Sequence, residues 1–221
     1  MIKKAINTYH KAKLGMIKEF AKNSNEVIDE AKFYDDGYLT IKINNLKKEL
    51  EIIMSDLATA IEFEKKNKIT SKKIEDLNIK KDSLMFEMCF YASNSFNSLD
   101  MCRAMFENIN DEFIDCIEAL IAYRENRIED AFKLFHKYFS NTQSIPSHYL
   151  INKIYGSILM NYNQNNMAIK LLREAASRKP EDVEVHKMLY KLYKENNLSK
   201  ELEVEKMIID LLGGNNENYS I

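Results

Sequence analysis

A chain of 221 residues with 45% hydrophobic and 30% charged residues can build one or two domains with a sizeable core, which excludes global disorder. Its 5 glycines and 2 prolines are few, so helices with short connections are favoured over a chain of many turns. The net charge of −2 gives no argument for nucleic acid or a membrane as partner, although residues 1–81 carry about +4 and the remainder about −6.

The start, Met1-Ile2-Lys3-Lys4-Ala5, runs into polar and charged residues, so no signal peptide is expected. No stretch approaches the roughly 18 apolar residues of a membrane span. Ile2, Ile6, Tyr9, Met16 and Phe20 recur by threes and fours around an interruption at Lys13 and predict a long amphipathic helix. Asn23-Ser24-Asn25 breaks it, and Val27, Ile28 and Ala31 mark a second helical stretch. Asp35-Asp36-Gly37 is a turn signal, and Tyr38 to Ile43 favours β structure, which predicts a small β-hairpin or an extended loop near 33–43.

Asn45 is a plausible N-cap for the next helix. Leu46, Leu50, Ile53, Leu57 and Ala60 follow with alternating four- and three-residue steps, the pattern of a helix with one buried seam. The seam pairs either with the first helix as a hairpin or with a second chain as a homodimer. Lys65 and Lys66 suit a helix C-terminus. Thr70 and Ser71 offer a new N-cap with Glu75 near the capping-box position. The helix running from there to Ala92 carries Leu84, Met85, Phe86, Met88, Cys89, Phe90 and Tyr91, so it is expected to be buried on several sides. Cys89, Cys102 and Cys116 are odd in number, lack CxxC spacing and sit among apolar residues, which points to reduced core thiols in a cytoplasmic protein.

Beyond this helix the chain becomes periodic. Asn97, Asn126, Asn163 and Asn197, spaced by 29, 37 and 34 residues, each stand where two helices would join. Asn tolerates the left-handed backbone that a tight antiparallel turn requires. Five residues on come Cys102, Ala131, Ala168 and Leu202, which suit close helix packing, and four further on Phe106, Phe135, Leu172 and Lys206. Lys206 breaks the apolar pattern, as a terminal cap with a polar outer face would. The insertion Ser140–Ser147 accounts for the longest spacing. In the third pair, Gly156 and Leu159 followed by Ala168, Leu172, Ala175 and Pro180 resemble the tetratricopeptide pattern of G-x-x-Y, A-x-x-x-F and a closing Pro. Asn152 and Tyr155 depart from it, where that family commonly has Trp and Leu. The resemblance covers about residues 78–212 and is strongest over 111–212.

The sequence therefore predicts an all-α chain with a short TPR-like α-solenoid of three to four helix pairs behind an N-terminal helical hairpin or bundle. The expected division is 1–70 for the N-terminal helices, 71–214 for the repeats and 215–221 for a flexible tail.

No catalytic or metal site is expected. His10, His136, His148 and His186 form neither HExxH nor any convincing zinc-ligand spacing, and GxxxxGK[ST], GxGxxG and GxSxG are absent. Glu129-Asp130 and Glu181-Asp182 sit where helices start and suit the positive end of the macrodipole. No cofactor is expected.

The tetratricopeptide resemblance implies that the first helix of each pair lines a concave groove. By register the groove candidates are Phe113, Tyr123 and Arg124, then Lys153, Ser157, Met160 and Asn161, then Lys187, Lys191 and Lys194. This strip favours an acidic peptide or one with a free C-terminus; the alternative is that the lysines only solvate exposed helix faces. The family's lysine-and-asparagine clamp for a C-terminal carboxylate is not expected, because Ser157 and Met188 stand where it wants Asn. The resemblance thus implies a non-enzymatic protein- or peptide-binding adaptor, scaffold or chaperone with no nucleic-acid or membrane partner. The alternative is a regulatory peptide sensor whose N-terminal helices respond to ligand bound by the repeats.

Overall fold

The computed structural model describes residues 36–67, 72–106, 111–142, 145–146 and 148–213. Among these residues every regular element is helical. In order they are α1 (Asp36–Asn67), α2 (Lys72–Ala92), a 3-10 turn (Phe96–Ser98), α3 (Leu99–Phe106), α4 (Phe113–Arg124), α5 (Ile128–Asn141), α6 (Tyr149–Asn161), α7 (Asn165–Arg178), α8 (Val183–Glu195) and α9 (Ser199–Leu211). The all-α expectation holds. The described residues divide into two compact units, one up to Tyr155 and one from Gly156, so the boundary falls within α6. The helices expected over residues 2–31, and the cap at Thr70 and Ser71, lie outside the described residues.

In the first unit α1 packs along α2. The predicted seam is real: Leu46, Ile53 and Ala60 are buried one heptad apart, and Leu46 and Ile53 meet Leu84 and Met88 of α2. An ion pair from Lys42 to Glu87 at 2.9 Å ties the same two helices. The seam is thus covered within the chain by the helix that follows it.

The β-hairpin expected near 33–43 is not formed over residues 36–43, which are the first turns of α1, and Asn45 lies inside the helix instead of capping it. Residues 33–35 lie outside the described residues. The physical reason is tertiary. Ile43 and Lys42 reach α2 only from a helix continuous with the seam, and that packing outweighs local β propensity. Thr40 is accommodated by donating its hydroxyl to the Asp36 carbonyl at 2.7 Å.

α2 is buried on two sides, as its apolar circumference suggested. Leu84 and Met88 face α1. Phe86 and Phe90 lie against Phe113 of α4, both at 5.5 Å between ring centroids. Cys89, Cys102 and Cys116 are free and have no exposed surface. Burial holds the Cys116 thiol well above its ordinary value, and the hydrogen bond to Cys102 together with burial does the same for Cys89.

Three helix junctions share one hydrogen-bonded turn. Asn126, Asn163 and Asn197 adopt φ of 61°, 56° and 56°. The residue after each Asn donates its amide back five positions: Arg127 to Ala122 at 2.8 Å, Gln164 to Leu159 at 2.9 Å and Leu198 to Tyr193 at 2.9 Å. This is a Schellman closure with Asn in the left-handed position. The α4–α5, α6–α7 and α8–α9 junctions are therefore built alike. Asn97 does not belong to the set: it sits in the 3-10 turn, and Asn94 caps α2 instead by donating to the Phe90 and Tyr91 carbonyls, both at 3.2 Å.

The positions after the first two of these turns carry the packing expected of them, while Leu202 after the third is only half-buried. Ala131, Phe135, Ala168 and Leu172 are fully buried, whereas Lys206 is exposed. In the second unit Gly156 of α6 packs directly against Leu172 of α7. A Cβ at this position would lie 2.8 Å from Cγ of Leu172, a side chain with no exposed surface. Gly156→Val should therefore lower stability by about 2 kcal/mol through overpacking. Gly156→Ala should cost less, because roughly 1 kcal/mol of helix propensity offsets part of the clash. Urea unfolding of the two variants checks the order.

Candidate functional site

The residues singled out in the sequence fall into three groups, one on each first helix of the three alike pairs. On α4 the structure moves them away from a groove. Phe113 is 2% exposed and ringed by other aromatics, so it offers nothing to a partner. Tyr123 is half-buried and stacks on Phe96 at 6.3 Å with the ring planes 12° apart. Arg124 donates to both carboxylate oxygens of Asp100, at 2.8 and 2.9 Å, and to the Phe96 carbonyl at 3.1 Å. Tyr123 and Arg124 thus brace the 3-10 turn, and the Arg124 charge is already matched. The same ion pair holds the Asp100 carboxyl below its ordinary range.

On α6, Lys153, Ser157, Met160 and Asn161 are spaced by four, three and one, which places them on one side of the helix. Lys153, Ser157 and Met160 are half-buried and Asn161 is exposed. The Lys153 ammonium lies 5.9 Å from the ring centroid of Tyr149. Lys153 belongs to the first unit and the other three to the second.

On α8 the geometry is the clearest. Val185, His186, Leu189, Leu192 and Tyr193 form its buried face. Lys187, Lys191 and Lys194, four and three residues apart, project from the opposite side. Lys187 pairs with Glu184 at 3.3 Å, and Lys194 is exposed. Asp182 caps the helix by accepting the Glu184 amide at 3.0 Å.

Among the described residues two histidines, His148 and His186, are buried. His148 has no exposed surface. Its Nδ1 accepts the Ile151 amide at 3.2 Å, which fixes the proton on Nε2. Nε2 therefore donates to Ser93 Oγ at 2.8 Å, and Ser93 in turn donates to the Phe90 carbonyl at 3.1 Å. A base that must take a serine proton needs the reverse polarity. Burial drives the His148 pKa down to about 3. The unfolded chain takes up this proton as pH falls below about 6.5, while the native ring stays neutral until near pH 3. This contribution to stability is complete above the unfolded value and lost on acidification, by about 2 kcal/mol at pH 5. Thermal melts at pH 7 and 5 should show the loss, with a smaller pH dependence in His148→Leu.

His186 is the opposite case. Its Nδ1 lies 2.6 Å from Glu205 Oε2 and its Nε2 3.0 Å from the Pro180 carbonyl, so both nitrogens face acceptors. Burial lowers its pKa, but the Glu205 hydrogen bond and charge, the Pro180 carbonyl and the Asp182 charge together raise it above the ordinary value. The ring ties α8 to α9, and these acceptors favour its protonated form.

Among the described residues no group of three or more His, Cys, Asp and Glu side chains is placed to hold a metal ion, and no helix is long and apolar enough to cross a membrane. Compared with protein-family models and with curated proteins, the sequence matches none. One pairing is not signalled in the sequence: Arg173 and Tyr193, 20 residues apart on α7 and α8, are hydrogen-bonded beside a cleft. Only the pairing of consecutive helices brings them together, so no linear motif signals it.

Proposed function

We propose that this chain is a non-enzymatic polypeptide-binding adaptor that engages acidic segments of its partner through the exposed faces of its helix pairs. The observation that carries this reading is the lysine face of α8. Three lysines point away from the buried side of a helix that is capped at one end and closed by an Asn turn at the other. A rigid helix bearing like charges at four- and three-residue steps attracts an extended acidic chain and fixes its register. The tetratricopeptide-like spacing of the pairs supports the same reading, since stacked helix pairs commonly present such faces to peptides.

The α6 side, with Ser157, Met160 and Asn161, supplies a less charged surface in the same unit. Met is suited to adaptable apolar contact. Phe113, Tyr123 and Arg124 are not part of the proposed surface, because they are occupied within the first unit.

A quantitative pull-down from lysate of the source organism tests the reading. Wild type should retain a set of proteins that the variant Lys187→Glu/Lys191→Glu/Lys194→Glu retains at least roughly tenfold less, since reversing rim charges acts directly on association. Equal recovery with both baits would contradict it.

A further inference from the structure

A cleft of about 540 Å³ opens among α7, α8 and α9, on the side of α8 away from its lysines. Ala176, Leu189, Val204 and Ile208 give it an aliphatic lining. Arg173 stands beside them. Its Nε donates to the Tyr193 hydroxyl at 2.6 Å, and its guanidinium carbon lies 5.2 Å from the Tyr193 ring centroid. These contacts hold the side chain, and among the described residues its two terminal nitrogens meet no acceptor. Lys200 adds a second exposed cation to the lining. Of the two acidic residues present, Glu205 is engaged by His186 at 2.6 Å and Glu201 is half-buried.

A guanidinium held through Nε still offers a pair of donors, and a carboxylate is the group that accepts such a pair best. The aliphatic lining next to it calls for an apolar group attached to that carboxylate. The volume falls within the roughly 300–1,000 Å³ of ordinary ligand pockets, more than one amino acid needs. We propose that this cleft binds the C-terminal end of a polypeptide whose last side chain is aliphatic. The terminal carboxylate lies on Arg173, with Lys200 at the rim, and the last side chain lies on Leu189, Val204 and Ile208. The proposal shares with the adaptor reading only that the ligand is a polypeptide; it uses different residues on a different side of α8.

The test is fluorescence anisotropy of the full chain with an N-terminally labelled hexapeptide of glycine and serine ending in two leucines, as the free acid and as the C-terminal amide. The acid should bind and the amide should bind at least roughly tenfold more weakly, the loss expected for a charge-assisted pair of hydrogen bonds. Arg173→Gln should weaken the acid by a similar factor, and Arg173→Lys should lie between. Val204→Arg should abolish binding by filling the cleft from α9, with unchanged circular-dichroism melting showing that the variants fold. Lys187→Glu/Lys191→Glu/Lys194→Glu should leave the acid's affinity unchanged. Equal binding of acid and amide, no binding of either, or an Arg173→Gln variant that binds like wild type would overturn the proposal. Displacement of the peptide by octanoate at lower concentration than the unlabelled peptide needs would assign the cleft to small carboxylates and also overturn it. Loss of the acid in the lysine variant would move the ligand to the α8 lysine face, so the cleft assignment would fail while the adaptor reading stood.

Discussion

Phe113→Ala is expected to lower stability by about 3–5 kcal/mol, the range for removing a fully buried aromatic ring. The ring is 2% exposed. Five other rings surround it: Phe86 and Phe90 at 5.5 Å, Phe106 at 5.9 Å, His148 at 6.0 Å and Tyr138 at 6.5 Å between centroids. They come from α2, α3, α5 and the segment before α6, so one truncation withdraws contacts from three other helices of the first unit. None of these neighbours can close the gap without leaving another contact, which places the cost toward the upper part of the range. The melting temperature should fall by on the order of 10 °C for a chain of this size. Phe63→Ala, at a ring 59% exposed on α1, is the control and should change stability by less than about 0.5 kcal/mol.

Glu205→Ala is expected to cost about 3 kcal/mol, because it leaves the His186 ring buried without its anionic partner. The ring escapes the full penalty of a buried charge by releasing its proton. That escape gives the prediction a second readout. In wild type the raised His186 pKa contributes stability that is complete below about 6.5 and lost as pH rises through the folded value. In Glu205→Ala this alkaline loss should disappear, since the proton is no longer held. The groups facing the ring are the Glu205 carboxylate from α9, the Asp182 carboxylate before α8 and the Pro180 carbonyl. Urea unfolding between pH 6 and 9 checks both the size and the sign. His148 responds in the opposite direction, on acidification, so the two histidines separate cleanly in a pH series.

The helix pairs were legible because their turns impose a backbone requirement that few residues meet. A left-handed residue between two helices restricts the choice to Gly or Asn, and three of the four asparagines picked out this way have positive φ. Asn97 resembled them in composition but not in context, because Asn94 already closes α2 three residues earlier. Residues 38–43 misled for a related reason. Their β-favouring side chains describe a local preference, while Leu46 and Ile53 settle the matter through α2.

The candidate surface was legible only in part. α8 has a polar face and a buried face, so its register shows which lysines point outward. α4 is apolar almost all round, with seven buried residues among twelve, so its register could not say that Phe113 faces the core. Register makes Arg124 a groove candidate because its partner, Asp100, lies 24 residues away on another helix. The His186–Glu205 and Arg173–Tyr193 pairs are hidden in the same way: each joins consecutive helices across 19 or 20 residues. Contacts of this kind belong to the packing and leave no spacing in the sequence.

The adaptor reading is tested most directly by titrating the purified chain with acidic peptides. A labelled peptide carrying alternating Glu and Leu residues, and its Gln counterpart, would be measured by anisotropy at low and at physiological salt. The account predicts that the Glu peptide binds, that salt weakens it, and that Lys187→Glu/Lys191→Glu/Lys194→Glu reduces its affinity at least roughly tenfold without shifting the melting temperature. Equal affinity for the Glu and Gln peptides, or equal binding by wild type and the lysine variant, would contradict it.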